Sequence, residues 1–183
     1  MIRELEFKIL CQRHRDEIYR YARALLSNRA DAEDATQEVL LRLWNHLPKI
    51  NPFNMRAWLL RTTRHYCLDQ IRRRSNRNAP MLMDDDILYE RPDELAINPS
   101  LAADSSWRLE QAQHALLKLP ENLRSVFVLY EVNGLRYREI AQTLGIPINT
   151  VKVHLARARE RLSKIITREE STKAESCTKI CNS

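Results

Sequence analysis

Cationic side chains recur on one short stretch near the C-terminal end of the sequence. Five of them stand on residues 151–162, with Glu160 as the single acid: Lys152, His154, Arg157, Arg159 and Arg161. Guanidinium groups bind phosphate oxygens and can grip a guanine edge with two hydrogen bonds, and an α-helix fits the major groove of DNA. The chemistry that these residues could perform is therefore the recognition of duplex DNA.

The residues just before this basic stretch indicate how it is positioned. Ala141 stands four residues before Gly145, and the apolar Val151 follows six residues later. A small residue lets two helices approach closely, a glycine can adopt the left-handed conformation of a tight turn, and Val151 returns to a shared core. The spacing predicts a helix-turn-helix over Gly134–Leu162.

A second concentration of cations lies in the first half of the chain. The periodicity predicts a helix from about Met55 to Arg74, with Trp58, Leu59, Thr62, Tyr66 and Ile71 packing inwards. Its other positions carry a basic set, which comprises Arg56, Arg61, Arg64, His65, Arg72, Arg73 and Arg74. The preceding segment contains Pro48 and Pro52 and is predicted to be a loop. It offers Lys49, Asn51, Phe53 and Asn54.

A predicted helix over residues 31–47 carries two stripes. Ala32, Ala35, Val39 and Leu43 form the stripe that should face the core. The other stripe consists of Asp34, Gln37, Glu38 and Leu41, which could form a docking surface for a protein partner. Asp31 is placed to cap the helix, whose first turn is acidic.

Composition excludes several classes of function. The 183 residues include only two glycines, Gly134 and Gly145, so neither a GxGxxG nor a GxxxxGK[ST] phosphate loop can be written. The five histidines are scattered, and no Ser/His/Asp, Cys/His or HExxH set can be assembled, so we expect no enzyme, metal or cofactor. Cys11 and Cys67 are predicted to be buried thiols. Cys177 and Cys181 could pair or bind a metal, although ordinary reduced thiols are favoured.

Charge divides the chain into parts. Residues 1–80 carry a balance of +7, residues 81–107 carry −6 and residues 108–168 carry +6. With many Leu, Ala, Arg and Glu, this favours an all-α protein of two small helical domains. We predict a first domain over 1–77, a flexible acidic linker over 78–106, a second domain over 107–167 and a disordered tail over 168–183. No apolar run is long enough to span a bilayer and no signal-peptide core is present, so we expect a cytoplasmic protein.

Three of these segments together resemble one protein family. Residues 31–44, 56–74 and 119–162 are similar, in order and spacing, to the extracytoplasmic-function (ECF) sigma factors of bacterial RNA polymerase, which belong to group 4 of the sigma-70 family. The resemblance covers about residues 5–166. It implies two helical domains, regions 2 and 4, that bind core polymerase and promoter DNA. It also implies an anti-sigma partner and no direct insertion into a membrane.

The resemblance also implies site residues. The stripe of Asp34, Gln37, Glu38 and Leu41 corresponds to the surface that docks on the clamp helices of the largest polymerase subunit, while region 4 would meet the flap. Promoter DNA at the −10 element would be bound by Lys49, Asn51, Phe53, Asn54, Arg56, Arg61, Arg64, Arg72 and Arg73. The −35 element would be bound by Arg124, Asn149, Thr150, Lys152, Val153, Ala156 and Arg157.

The chain departs from the family pattern on the second helix of the motif. Gly-Thr-Val-Lys-Ser-Arg is usual there, whereas this chain has Asn149-Thr150-Val151-Lys152-Val153-His154. The loss of a serine hydroxyl and an arginine, with the gain of Val153, should change base preference towards a thymine methyl.

Plainer alternatives remain for several features. The loop could be a simple connection between helices, and the two charged stripes could be solvated helix faces. A stand-alone helix-turn-helix regulator of the response-regulator type would share the C-terminal helices and would not need residues 31–74.

Overall fold

The computed structural model describes the backbone of residues 2–78 and 104–181 and the side chains of residues 3–74 and 111–167. Every regular element in this part of the chain is helical. The helices are α1 Ile2–Leu25, α2 Arg29–His46, α3 Met55–Asn78, α4 Asp104–Leu117, α5 Glu121–Phe127, α6 Tyr137–Leu144 and α7 Ile148–Cys181. The predicted all-α class is confirmed.

The predicted linker over 78–106 lies largely outside the described residues, and α4 already begins at Asp104. Helix α7 runs to Cys181, past residue 167 where we predicted the second domain to end. The side chains of Cys177 and Cys181 are outside the described part of the chain.

The first domain is built by α1, α2 and α3 around an apolar core. Ile18 of α1 packs with residues of α2, the following turn and α3, namely Val39, Leu43, Leu47, Met55 and Leu59. The predicted inner stripe of α2 is confirmed, because Ala32, Ala35, Val39 and Leu43 are all fully buried. Trp58 packs against the same core while partly buried, as its helical spacing predicts.

The start of α2 differs from the sequence prediction. Asn28, not Asp31, caps the helix, since its side chain accepts a hydrogen bond from the backbone N–H of Ala30 at 2.9 Å. The prediction was wrong because Asn and Asp are both good caps and the chain offers both within four residues. Asp31 instead lies in the first turn, where its carboxylate accepts a hydrogen bond from Arg74 of α3.

The second domain contains the predicted helix-turn-helix. Helix α6 ends at Leu144 and is capped by Gly145, which has φ 70° and ψ 30°. The N–H of Gly145 donates to the carbonyl of Ala141 at 2.9 Å. Helix α7 then returns, with Val151 and Leu155 buried against the rest of the domain. Left-handed backbone is open to glycine without the clash that a Cβ atom brings, so the position of Gly145 fixes the angle between the two helices.

The two domains pack directly on each other. One apolar cluster joins Tyr21 and Leu25 of α1 and Leu60 of α3 with second-domain residues that include Leu129 and Ile140. All five side chains are essentially buried. The charge pattern predicted two domains, but nothing in it predicted that they share a core.

Gly145→Ala should destabilise the chain by about 1 kcal/mol, because an L-residue must adopt the left-handed backbone there. A Cβ atom at this position would meet nothing within 4 Å, so the cost is conformational rather than steric. Urea unfolding followed by circular dichroism measures it. Gly145→Asn is the matched comparison, since Asn tolerates this conformation better, and equal losses for both variants would contradict the explanation.

Candidate functional site

Helix α7 presents one face of the predicted DNA-binding residues to solvent. Asn149, Lys152, Val153, Ala156 and Arg157 are exposed, and Thr150 is half-buried. They share a face because Val151, Leu155 and Ala158, at helical spacing between them, are buried and turn the rest outwards. Val153 is 46% exposed, and Ile148 and Ile166 of the same helix are exposed to a similar degree. The structure thus brings together six of the seven residues predicted to bind the −35 element.

Arg124 lies apart from that face. Its Nη1 donates to the backbone carbonyl of Leu25 in the first domain, and its Nη2 donates to the carbonyl of Leu119, each at 3.1 Å. A phosphate contact by this guanidinium would require the bond to Leu25 to break. Arg124 could therefore take its predicted role in DNA binding only after the second domain loses this contact with the first.

The side chain of His154 turns inwards from the same helix. Its Nδ1 is buried without a hydrogen-bond partner among the described residues. Burial, with a smaller effect from the nearby Arg157, lowers the pKa of this imidazole below its ordinary value. The lowered pKa favours the neutral imidazole and so works against a positive charge at this position.

The outer stripe of α2 forms an exposed acid-amide surface. Asp34 and Gln37 are exposed, Leu41 is 59% exposed, and Glu38 is half-buried. Glu38 accepts a hydrogen bond from the Nε of Arg42 at 2.8 Å, one turn further along. This arrangement has the chemistry predicted for the docking surface, although single exposed apolar side chains are common and Leu5 and Ile9 of α1 are exposed to a similar degree.

The loop between α2 and α3 displays an aromatic ring. Phe53 is 96% exposed, while the carboxamide oxygen of Asn51 accepts a hydrogen bond from the Phe53 N–H at 3.0 Å. This bond caps the short 3-10 turn Pro52–Asn54, whose middle residue presents its ring to solvent. Lys49 and Asn54 are exposed as well. The four residues predicted to bind an unpaired base are thus all accessible, although the carboxamide oxygen of Asn51 already accepts a hydrogen bond from the backbone.

The five α3 arginines predicted to bind the −10 element fall into two groups. Arg72 and Arg73 are exposed near the end of the helix. Arg56, Arg61 and Arg64 instead reach the second domain. Arg61 donates to the backbone carbonyls of Gln142 and Thr143, which belong to the last turn of α6. A cation there also complements the negative end of the helix dipole.

Arg64 makes a bidentate ion pair with an acid of the second domain. Its Nε and Nη2 donate to the two carboxylate oxygens of Glu121 on α5, each at 2.8 Å. Glu121 also accepts from the hydroxyl of Ser125 at 2.7 Å, and Ser125 in turn accepts from the phenol of Tyr21 on α1 at 3.1 Å. Burial lowers the pKa of Arg64, but the bond and charge of Glu121 outweigh it and leave the pKa raised.

A second polar network surrounds Glu17 of α1. Its carboxylate accepts from the Nε of Arg56 at 2.7 Å and lies 3.4 Å from the Nδ1 of His14. Arg56 also donates to the backbone carbonyl of Asn133 at 2.8 Å, and the carboxamide of Asn133 donates to the carbonyl of Glu17. Burial raises the pKa of Glu17, but the bonds from His14 and Arg56 outweigh it, so the pKa lies below its ordinary value.

The sequence of α1 carries a pattern that indicates a buried ion pair at Glu17. His14, Glu17 and Tyr21 interrupt the apolar stripe of α1 at helical spacing with Ile18, and a buried acid requires a cation nearby. Arg56 satisfies this requirement. Glu121 and Asn133 carried no such signal, because their partners lie in the other domain.

Neither a metal site nor a membrane span emerges from the described residues. They contain no group of three His, Cys, Asp or Glu side chains that could hold a metal ion. None of their helices is long and apolar enough to cross a membrane. Burial raises the pKa of the Cys67 thiol to about 12, so this residue is an inert core group, as predicted. The same prediction was wrong for Cys11, which is only partly buried.

Comparisons with known proteins cover both domains. Residues 10–77 match the family Sigma-70 region 2, and residues 109–162 match Sigma-70, region 4. The chain is 34% identical to the ECF RNA polymerase sigma factor SigE of Mycolicibacterium smegmatis over 91% of its own length and 64% of SigE. It is 30% identical to the ECF RNA polymerase sigma factor SigC of Mycobacterium tuberculosis, over 80% of this chain and 75% of SigC.

The fold comparison agrees. The sigma factor RpoE of Bartonella quintana, solved in complex with the anti-sigma factor NepR, superimposes with a TM-score of 0.71 at 24% identity. The match covers 88% of this chain and 97% of that one. The chain belongs to the ECF sigma factors of the sigma-70 family. The stand-alone regulator is not favoured, since residues 10–77 match a domain that it would not need.

Glu17→Gln should weaken folding by roughly 2 kcal/mol at pH 7, because a buried, charge-assisted pair with Arg56 is lost. The pKa of Glu17 is lowered in the folded chain, so the stabilisation is present above the unfolded value of about 4.5 and is lost as pH falls below it. Urea unfolding at several pH values should show wild type and variant converging in acid. Asp16→Asn, on the exposed neighbour, is the control, and a difference that stays constant with pH would contradict the assignment.

Proposed function

We propose that this protein directs core RNA polymerase to a specific set of promoters as a dissociable subunit. The observation that supports it best is the presence, on one chain, of two separate exposed surfaces of the expected chemistry. These are the acid-amide stripe of α2 and the polar face of α7. The matches to both sigma regions support the division into domains over 1–77 and 107–167.

The first surface is the proposed docking site for polymerase. Asp34, Gln37, Glu38 and Leu41 lie at i, i+3, i+4 and i+7 on α2 and all face away from the core. Acids and an amide around one apolar side chain suit a partner surface lined with Arg and Gln, such as the clamp helices of the largest subunit. Region 4 would meet the flap.

The second surface is the proposed reader of the −35 element. Lys152 and Arg157 can bind base acceptors or phosphate, while Val153 offers an apolar contact for a thymine methyl. The −10 element would be held by the loop, where exposed Phe53 can stack on an unpaired base, and by the arginines of α3.

The remaining assignments follow from this role. The polymerase performs the chemistry, so the chain needs no catalytic group or cofactor and acts in the cytoplasm with the polymerase. An anti-sigma partner is proposed from the solved relative that is bound to one.

Asp34→Lys combined with Glu38→Lys should reduce binding to core polymerase at least tenfold and abolish start-site selection, because the docking surface changes sign. The measurement is in vitro transcription with core polymerase on genomic fragments, with start sites mapped, alongside a direct binding assay. Glu6→Lys with Asp16→Lys is the matched control, since it makes the same charge change on exposed positions of α1. Full polymerase binding by the first variant would refute the docking surface, and an absence of wild-type start sites would refute the function.

Arg157→Ala should cost about 1–3 kcal/mol at one base pair of the −35 element and relax the preference there. Transcription from a randomised promoter library gives the sequence profile of wild type and variant. Lys164→Ala is the control, because it removes one exposed cation further along α7 that pairs with Glu160. A uniform loss across all sequences would make Arg157 a phosphate contact instead.

A further inference from the structure

We propose that Glu131 and Tyr130 are positioning residues that hold the guanidinium of Arg159 in place to bind a phosphate of duplex DNA. The inference rests on the proposed role of α7 in promoter binding, and it adds a backbone contact to the base contacts of that helix. Arg159 belongs to α7, and its two partners belong to the segment between α5 and α6. An acid placed beside DNA would thus strengthen binding rather than oppose it.

Arg159 continues the DNA-facing side of α7 towards its C-terminal end. Lys152, Ala156 and Arg159 stand at i, i+4 and i+7 and are all exposed, so they form one stripe along the helix. A helix rises about 10 Å over that interval, which is close to the width of the major groove. A helix that places Lys152 among the base edges therefore brings Arg159 to the phosphates that line the groove.

Two contacts hold the guanidinium of Arg159. Its Nη2 donates to Oε1 of Glu131 at 2.7 Å, and its Nε donates to the same oxygen at 3.1 Å. The guanidinium carbon lies 5.5 Å from the centre of the Tyr130 ring, within the range of a cation–π contact. A guanidinium has five N–H groups, so these two bonds leave others that can donate to a phosphate.

The fold also holds the two partners of Arg159. Both belong to a π turn, Val128–Val132, a rare element that is frequent at functional sites. The Tyr130 ring stacks on Tyr137 of α6, with the ring centres 5.2 Å apart and an angle of 24° between the planes. Both rings pack against the buried core. Because the partners are fixed in this way, the long side chain of Arg159 is ordered before DNA binds.

An ion pair that merely neutralised Arg159 would have the opposite effect on DNA binding. In that case Glu131 would cancel the positive charge and repel phosphates, so its removal would strengthen binding. If Glu131 orients the guanidinium, its removal should weaken binding although the chain becomes more positive. The sign of the change therefore distinguishes the two roles.

Glu131→Gln in the full-length chain is the central test. A phosphate contact carries no base information, so a short mixed-sequence duplex serves as the probe, and its Kd is measured at several salt concentrations without polymerase. We expect binding about threefold weaker than that of wild type, since the side chain of Arg159 must then be ordered on binding. Glu160→Gln is the matched control, because it removes an exposed acid of α7 that pairs with Lys164. The control should bind the duplex as tightly as wild type or more tightly.

Arg159→Ala supplies the second test. The dependence of log Kd on log salt should become shallower by about 0.9, because one phosphate contact and its released counterion are lost. Combined with Glu131→Gln, this variant gives a double-mutant cycle. In the Arg159→Ala background, the change at Glu131 should no longer weaken binding, since the group that it positions is gone.

Three results would overturn the proposal. They are duplex binding by Glu131→Gln as tight as that of the Glu160→Gln control, an unchanged salt dependence for Arg159→Ala, and an equal loss from Glu131→Gln in both backgrounds. In vitro transcription with core polymerase is measured on the same wild-type preparation. An absence of start sites there would refute the proposed function, whereas the duplex measurements decide the role of Glu131 on their own.

Discussion

A half-buried guanidinium must have an oxygen partner, and much of this structure follows from that requirement. Helix α3 carries Arg56, Arg61 and Arg64 on the side that packs against the second domain, where solvent reaches Arg56 and Arg64 only in part. Leaving such groups unpaired costs more than the bond itself gains, so the partners must be supplied. Glu17, Glu121 and three backbone carbonyls supply them, and they thereby fix how α1, α3, α5 and α6 are arranged.

The local features of the fold were largely readable from the sequence. Periodicity placed Val39 and Leu43 inside, and the Ala141–Gly145–Val151 spacing identified the helix-turn-helix, because both depend on neighbours within one or two helices. The prediction that Asp31 caps α2 was wrong, because Asn and Asp are both good caps and local sequence does not choose between them. In the structure Asp31 accepts a hydrogen bond from Arg74 of α3, and Asn28 caps the helix.

The arrangement of the two domains could not be read in the same way. The bonds from Arg64 to Glu121 and from Tyr21 to Ser125 join residues 57 and 104 positions apart. Each of these side chains is ordinary on its own helix, and no periodicity marks a partner across a linker. The sequence therefore predicted which residues suit DNA, while only the structure shows that Arg56, Arg61 and Arg64 bond to the second domain.

The distribution of exposed groups has a consequence for how a promoter would be met. The polar face of α7 and the acid-amide stripe of α2, which are the surfaces proposed to meet the −35 duplex and the polymerase, are both exposed to solvent. The first turns of α3, where Arg56 and Arg61 bond to the second domain, follow the loop that displays Phe53, and Asn54 of that loop accepts a hydrogen bond from Gln142 of the second domain. Three of the arginines proposed to contact the −10 element thus bond to the second domain, whereas six of the residues proposed to contact the −35 element share one face of α7.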